Sequence, residues 1–304
     1  MMNIISSCTN SKKMIASKHL QIANYSTKLN LDEIIKVWKK SLESDSTTKI
    51  KALELYKGGA WKATIATKQV LATKFKTKLY IASAGYGLID SEYEVHSYDS
   101  TFASGTVNSV SKFSKLSNKE ATINWWNGIN CISINSFESN RYTFIILPHD
   151  YLIATQDFIK DLIEKNSKNV FIFTANQHKT PKFMEKNIIN FDTRFNSYQA
   201  GVISNMLQRA VLWLSNEIIF HNIPISHSAL QSHIEKKMSI HDSFVMPVRI
   251  KLSEEDIKIK IRELISKEAI SSASHGLRRF RKLGFACEQK RFGKLYKQIK
   301  SGLK

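Results

Sequence analysis

The sequence predicts an α/β fold with a mainly parallel, doubly wound sheet, and two observations support this. Apolar runs without a helical period are typical of buried strands, and they recur along the chain at 3–7, 79–82, 142–147 and 168–174. Segments with apolar residues at helical spacing, such as 31–42, separate these runs. Strands that alternate with helices in this way favour a parallel sheet with helices packed on it.

The composition changes towards the C-terminus, and we predict an α/β catalytic domain at 1–245 and a basic helical module at 246–304. Ser253 and Asp256 have the spacing of a helix-capping pair at the start of this module. Gly284 is expected to end the second of three helices. Three helices with a tight turn between the last two have the outline of a helix-turn-helix.

The first strand opens into the loop SSCTNSKK, which contains Ser6, Cys8 and Lys13. Small hydroxyl groups followed by two lysines can hold an anionic group with backbone N–H and ammonium donors. The loop lacks the glycines of the P-loop that binds nucleotide phosphates. A surface loop with solvated lysines is the alternative interpretation.

The stretch 78–102 is especially rich in glycine, tyrosine and ionisable residues. After the strand at 79–82, Gly85 and Gly87 flank Tyr86, and glycine lets a backbone approach a ligand closely. Ligands in open α/β sheets bind outside the carboxyl ends of the strands, so we interpret the stretch as a catalytic loop. The alternative is an ordinary loop whose acids cap helices. The expected loop presents ionisable and aromatic side chains, namely Asp90, Glu92, Glu94, His96, Tyr98 and Asp99.

Further polar residues follow the strand at 168–174. Asn176 and His178 could hydrogen-bond the edge of a base, and they could equally cap a turn. The histidines show no regular metal-ligand spacing, and the cysteines form no CxxC pair. We therefore expect neither a metal nor a cofactor.

The charge of the chain predicts a polyanionic partner. Lys and Arg number 45 against 26 Asp and Glu, a net charge of +19. Ten Lys and Arg against one Glu give +9 between 271 and 304 alone. We expect double-stranded DNA as the partner, with a solvated basic face as the alternative. The sequence contains no lipidation motif, so membrane binding is not expected. The candidate phosphate contacts are Arg278, Arg279, Arg281, Lys282, Lys290, Arg291, Lys294 and Lys297.

The sequence also predicts a cytoplasmic protein. The first residues contain no charged region followed by a long apolar segment, so no signal peptide is expected. No apolar run approaches the length of about 18 residues that a transmembrane helix needs. Cys8, Cys131 and Cys287 are an odd number and lie far apart, which argues against a disulfide framework.

Three ordered blocks, SSCTNSKK, LYKGG and ASAGYGLIDSEYEVHSYDSTF, resemble a poorly characterised bacterial and phage family. The resemblance covers about residues 3–102. That family looks related to the catalytic domain of archaeosine synthases and to the uracil-DNA glycosylase fold, and some proteins of this type are anti-phage DNA glycosylases. The resemblance implies a uracil-DNA-glycosylase-like sheet and chemistry at a nucleobase or its glycosidic bond. The family blocks map to Ser6, Cys8, Lys13, Tyr56, Gly58, Tyr86, Gly87, Leu88, Tyr98 and Asp99.

The chain departs from both related groups. It lacks the GQDPY loop of uracil-DNA glycosylases, and it lacks the proline-cysteine and KPY arrangement of archaeosine synthases. The catalytic acid therefore stays open among Asp90, Glu92 and Asp99.

The resulting hypothesis is a DNA glycosylase that flips a modified base of phage DNA, stacks it on Tyr86 and leaves an abasic site. Asp90, or failing it Asp99, would orient a water molecule and stabilise positive charge on the deoxyribose. Lys13 would bind a flanking phosphate or the departing base. The alternatives are a base-modifying or base-exchanging enzyme and a DNA-binding regulatory or defence protein without catalysis.

Overall fold

The structure is a computed structural model, and it divides into two compact units, Met1–Phe244 and Val245–Lys304. Each unit has an apolar core of its own. The residues that the structure describes are 1–113, 117–132, 141–175, 177–245, 247–268 and 270–302.

The described residues of the first unit form eight strands and nine helices. The strands are β1 (Met2–Ser7), β2 (Ile50–Lys51), β3 (Thr77–Ser83), β4 (Gly87–Asp90), β5 (Glu94–Val95), β6 (Tyr142–Ile146), β7 (Val170–Thr174) and β8 (Ile188–Asn190). The helices are α1 (Leu31–Ser44), α2 (Ala52–Leu55), α3 (Gly59–Ala72), α4 (Asn118–Ile129), α5 (His149–Ala154), α6 (Gln156–Asn166), α7 (Arg194–Tyr198), α8 (Met206–His221) and α9 (His227–Met238).

The central sheet has the strand order β4-β3-β1-β6-β7-β8. All neighbouring strands are parallel except β3 and β4, which are antiparallel. This confirms the predicted α/β class and the mainly parallel sheet. The chain passes from β1 to β3 on one side and then returns to β6 on the other side of β1. In sheets of this kind the crevice that binds ligands lies at that reversal, outside the carboxyl ends of the strands.

The longer strands of this sheet form where the sequence is rich in apolar residues. All six residues of β1 and all five of β7 are buried, as expected for strands covered on both faces. The adjacent Trp125 and Trp126 of α4 are both buried as well, and the indole of Trp125 donates a hydrogen bond to the Ala84 carbonyl.

One predicted element differs from the structure. The loop expected after Gly85 begins as a hairpin, because β4 pairs with β3 in a register that places Leu88 opposite Ala82. Further along the chain, two helices, α5 and α6, meet at Thr155. The Thr155 hydroxyl donates to the carbonyl of Tyr151 within this junction.

Gly87 is required by the hairpin, and its replacement by alanine is expected to destabilise the first unit by about 3 kcal/mol. Its φ is +73°, and an added Cβ would lie 2.5 Å from the Asn130 Cα. Gly105→Ala is the matched control, since Gly105 has φ +75° with open space around it. Chemical denaturation should show a clearly smaller loss for Gly105→Ala. Equal losses would mean that backbone strain alone accounts for the effect.

The described residues of the second unit form a small helical fold. Its elements are β9 (Ile250–Lys251), α10 (Glu254–Glu268), α11 (Ala273–Lys282), β10 (Phe285–Ala286) and α12 (Gln289–Gly302). Ser253 accepts a hydrogen bond from the Asp256 N–H, as the capping signature predicts. Gly284 follows α11 with φ +88°, and β10 then pairs in parallel with β9. The helix-turn-helix assignment of this unit stays a prediction.

Candidate functional site

A buried cluster of hydroxyl and thiol groups lies at the carboxyl ends of β1, β3 and β6. The Sγ of Cys8, which follows β1, is 3.0 Å from the hydroxyl of Tyr151 in α5. The Tyr98 hydroxyl is 2.7 Å from the Ser83 Oγ at the end of β3 and 2.9 Å from the Tyr56 hydroxyl. We call these five residues the tyrosine cluster. It lies at the edge of the sheet, outside the carboxyl ends of the strands, where open α/β sheets bind ligands.

Burial raises the pKa of all three tyrosines in the cluster, Tyr56, Tyr98 and Tyr151, above the ordinary value. They therefore stay protonated at neutral pH and can donate hydrogen bonds. A donor buried in a medium of low dielectric constant stabilises negative charge more strongly than the same donor in water. The cluster is thus suited to a ligand on which electron density accumulates.

Lys12 adds an amine to the cluster. Its Nζ lies 4.2 Å from the centre of the Tyr98 ring and 6.0 Å from that of Tyr56, and the side chain is half-buried. Burial lowers the pKa of Lys12, and the nearby Cys8 and Asp99 oppose that effect. A lysine of lowered pKa is deprotonated more often at neutral pH, which makes it a base or a nucleophile.

Asp99 is held in place beside this amine. Its N–H donates to the Leu20 carbonyl at 2.7 Å, and its own carbonyl accepts from the Ile22 N–H at 3.0 Å. The side chain of Asn108 donates to the carboxylate. Asp99 is close enough to raise the pKa of Lys12. A fixed carboxylate next to an amine can stabilise a developing positive charge or exchange a proton.

Asp90 occupies a different environment from Asp99. It ends β4, and its carboxylate accepts a hydrogen bond from the Glu92 N–H at 2.9 Å. Together with Tyr86 and His96 it lines a cavity of about 370 Å³. The sequence ranked Asp90 ahead of Asp99, whereas the structure brings Asp99, and not Asp90, into the electrostatic surroundings of Lys12.

Tyr86 lies between the cavity and the tyrosine cluster. Its hydroxyl accepts the His96 N–H at 2.8 Å, and its ring meets the Tyr98 ring edge to face at 5.5 Å between centroids. Gly85 allows this packing, because an added Cβ would lie 2.5 Å from the Tyr98 ring. The Gly85 carbonyl accepts from the Trp38 indole at 2.7 Å.

The structure places two of the predicted site residues outside the tyrosine cluster. Lys13 is exposed, and the amine over the Tyr98 ring belongs to Lys12. Ser6 is buried, and its hydroxyl is 3.0 Å from that of Thr64 in α3. Its contact with α3 is a packing contact.

The polar residues predicted after β7 do not join the cluster in the described part of the chain. His178 is exposed in a single 3₁₀ turn, and Asn176 lies outside the described residues. A residue that sequence reasoning missed is His149, which opens α5 directly after β6. Among the described residues, nothing hydrogen-bonds its buried Nδ1. A buried nitrogen without a partner is available to a ligand in the crevice.

The Asp45 carboxylate contacts side chains from three segments, those of Ser17, Thr47 and His96. The hydroxyls of Ser17 and Thr47 and the N–H of Thr47 all donate to its carboxylate, and His96 Nδ1 lies 3.3 Å away. Burial opposes ionisation of Asp45, but these hydrogen bonds and the histidine outweigh it and lower the pKa to about 2.

The free energy of unfolding is therefore expected to depend on Asp45. Because the folded-state pKa lies below the unfolded value, the stabilisation is complete above about pH 5 and is lost as the pH falls towards 2. Asp45→Asn should cost about 2 kcal/mol at pH 7, measured by denaturant titration. The difference from wild type should shrink with decreasing pH. A difference that is constant between pH 7 and pH 3 would contradict this assignment.

The second unit carries the predicted phosphate-binding cations in two groups. Arg279 pairs with Glu268, Arg281 donates to the Cys287 carbonyl at 2.9 Å, and Arg291 lies 3.7 Å from Glu254. These three arginines are thus engaged within the unit. The other group is exposed, and no ion pair or hydrogen bond engages its side chains within the described residues. This group comprises Arg278, Lys282, Lys290, Lys294 and Lys297, and we call its first four members the basic surface.

No helix in the described ranges is long and apolar enough to cross a membrane. Within the same ranges, no three His, Cys, Asp or Glu side chains are grouped so that they could hold a metal ion. No model of a known protein family matches the chain, and a search of curated proteins finds no match either.

Proposed function

We propose that this protein is a DNA glycosylase that removes a modified base and leaves an abasic site. The observation that carries the proposal is the position of the Lys12 amine over the Tyr98 ring, with the Asp99 carboxylate in its electrostatic surroundings, at the carboxyl ends of the strands of an open α/β sheet. The basic surface supports DNA as the substrate. The resemblance of the first hundred residues to nucleobase-processing enzymes points in the same direction.

The chemistry of the site suits cleavage of a glycosidic bond. As the bond between C1′ and the base breaks, positive charge develops on the deoxyribose and negative charge on the base. Asp99 stabilises the positive charge. The protonated hydroxyls of Tyr98 and Tyr151 donate to the departing base, and His149 Nδ1 offers a further polar contact to its edge.

In this proposal, charge recognises the phosphates of the duplex, and stacking and hydrogen bonds recognise the target base. Cations of the basic surface contact phosphates and hold the duplex without reading its sequence. The target nucleotide is flipped out of the stack, and its base is selected by stacking and by hydrogen bonds in the crevice. A modified base that pairs or stacks poorly flips at lower cost, which favours a modified base as the substrate.

The test uses genomic DNA from phages with ordinary and with hypermodified bases. Purified protein should create alkali-labile abasic sites in at least one modified DNA, and Asp99→Asn should not. Gel mobility under binding conditions confirms that both proteins engage the DNA. Binding without abasic sites on every DNA would contradict the proposal and favour a DNA-binding protein without catalysis.

Base exchange through a covalent intermediate is the second candidate. The presence of two nucleophilic groups in the crevice, the Cys8 thiol and the Lys12 amine, favours it. Base exchange would require a second substrate and would leave no abasic site, so the same assay separates the two activities.

A further inference from the structure

Two nucleophilic groups lie at the tyrosine cluster, the thiol of Cys8 within it and the amine of Lys12 next to it. They differ in their exposure and in their hydrogen-bond partners. The Cys8 thiol is 7% exposed and engaged with the Tyr151 hydroxyl at 3.0 Å. Lys12 is only half-buried, and its amine lies on a ring face without forming a close ion pair. Of the two, the amine of Lys12 is therefore the more exposed to solvent and to a ligand.

The surroundings of Lys12 also suit an amine that must first lose a proton. Burial lowers its pKa, which increases the neutral fraction of the amine at any given pH. The Asp99 carboxylate lies in the electrostatic surroundings of this amine. In the step proposed below it takes up the proton that the nitrogen loses. The Lys12 amine itself lies 4.2 Å from the centre of the Tyr98 ring and 6.0 Å from that of Tyr56, which places it at the tyrosine cluster.

We propose that Lys12 is the nucleophile of the reaction and forms a Schiff base with C1′ of the target deoxyribose; this inference rests on the proposed glycosylase function. It assigns a covalent step and a catalytic residue to the site. A purely hydrolytic glycosylase would instead use a water molecule that Asp99 orients.

The step balances with the groups present and solvent water. The lone pair of Nζ forms a bond to C1′, and the bond from C1′ to the base breaks, so its electron pair leaves with the base, which takes up a proton. Asp99 accepts one proton from Nζ. The remaining lone pair of Nζ then forms the C=N bond while the bond from C1′ to O4′ breaks and O4′ is protonated. Water adds to C1′, Lys12 is released as the amine, and an abasic site remains.

The experiment traps the Schiff base without knowledge of the modified base. Full-length protein is mixed with a short duplex that carries a single abasic site, whose aldehyde reacts with an amine nucleophile, and with sodium borohydride. Reduction turns the C=N bond into a stable amine that denaturing gels detect. Wild type should form the adduct, and Lys12→Met should lower its yield by at least about tenfold. Mass spectrometry of tryptic peptides should locate the adduct on Lys12.

The controls separate chemistry from folding and from general lysine reactivity. Methionine keeps an unbranched apolar chain over the Tyr98 ring, and thermal melting and duplex binding of Lys12→Met should match wild type. Lys18→Met removes an exposed amine a few residues away and should trap as wild type does.

Each outcome separates this inference from the proposed function. An adduct on another lysine, or equal trapping by Lys12→Met, overturns the assignment of Lys12. Release of base from modified DNA without any trapped adduct overturns the covalent step while the glycosylase function stands. Trapping at Lys12 without base release from any DNA supports the nucleophile and overturns the glycosylase function.

Discussion

Replacement of Asp99 by asparagine is expected to slow base release by about 10²–10⁴-fold, the range observed when a group that moves protons or stabilises charge is removed. Asparagine has the shape of aspartate and can still accept the hydrogen bond from Asn108, so the fold should be retained. The amide carries no negative charge to oppose the charge on the deoxyribose. Single-turnover rates of base release measure the effect on the chemical step.

Two further substitutions make this prediction specific. Asp90→Asn tests the acid that lines the cavity beside β4, and Asp161→Asn removes an exposed carboxylate of α6. The rate should be unchanged for Asp161→Asn. A loss confined to Asp90→Asn would place the chemistry in the cavity instead of the tyrosine cluster.

Neutralising the basic surface is expected to have the second large effect. Substitution of its four cations by glutamine should weaken duplex binding by roughly 10²–10³-fold at physiological salt, because each cation that neutralises a phosphate releases condensed counterions. The slope of log affinity against log salt concentration should become less steep by about 3–4. Fluorescence anisotropy over a series of salt concentrations measures both quantities.

A variant of equal net charge provides the control for this effect. It replaces four exposed lysines of the first unit by glutamine and should change affinity and slope far less. Equal losses in both variants would mean that binding follows net charge and that no surface of the second unit is specific for DNA. The control positions are Lys36, Lys40, Lys62 and Lys168.

Four of the six strands of the sheet, β1, β3, β6 and β7, were predictable because strands buried on both faces are rich in apolar residues, as β7 is. β4 was not predictable in this way. It contains only Leu88 and Ile89 as apolar residues, and its pairing with β3 depends on the turn at Gly87, whose φ of +73° no periodicity reveals. A strand of this length forms because its neighbour is already in place.

The location of the candidate site along the chain was predictable from the sequence, whereas the identity of several of its residues was not. Tyr98 and Asp99 belong to the chemically dense stretch, and Cys8 follows the first strand. The choice between Lys12 and Lys13 depends on the direction of one residue in an irregular loop, which sequence patterns do not encode. Tyr151 comes from a helix far along the chain, and only the parallel pairing of β1 with β6 brings it to Cys8.

The most direct test of the central claim is to quantify free base and abasic sites in the same reaction on modified phage DNA. Mass spectrometry identifies the released base, and an aldehyde-reactive probe counts the abasic sites. A DNA glycosylase predicts equal amounts of both, formed by wild type and lost in Asp99→Asn. Released base without abasic sites would indicate base exchange, and DNA binding with neither product would contradict catalysis at this site.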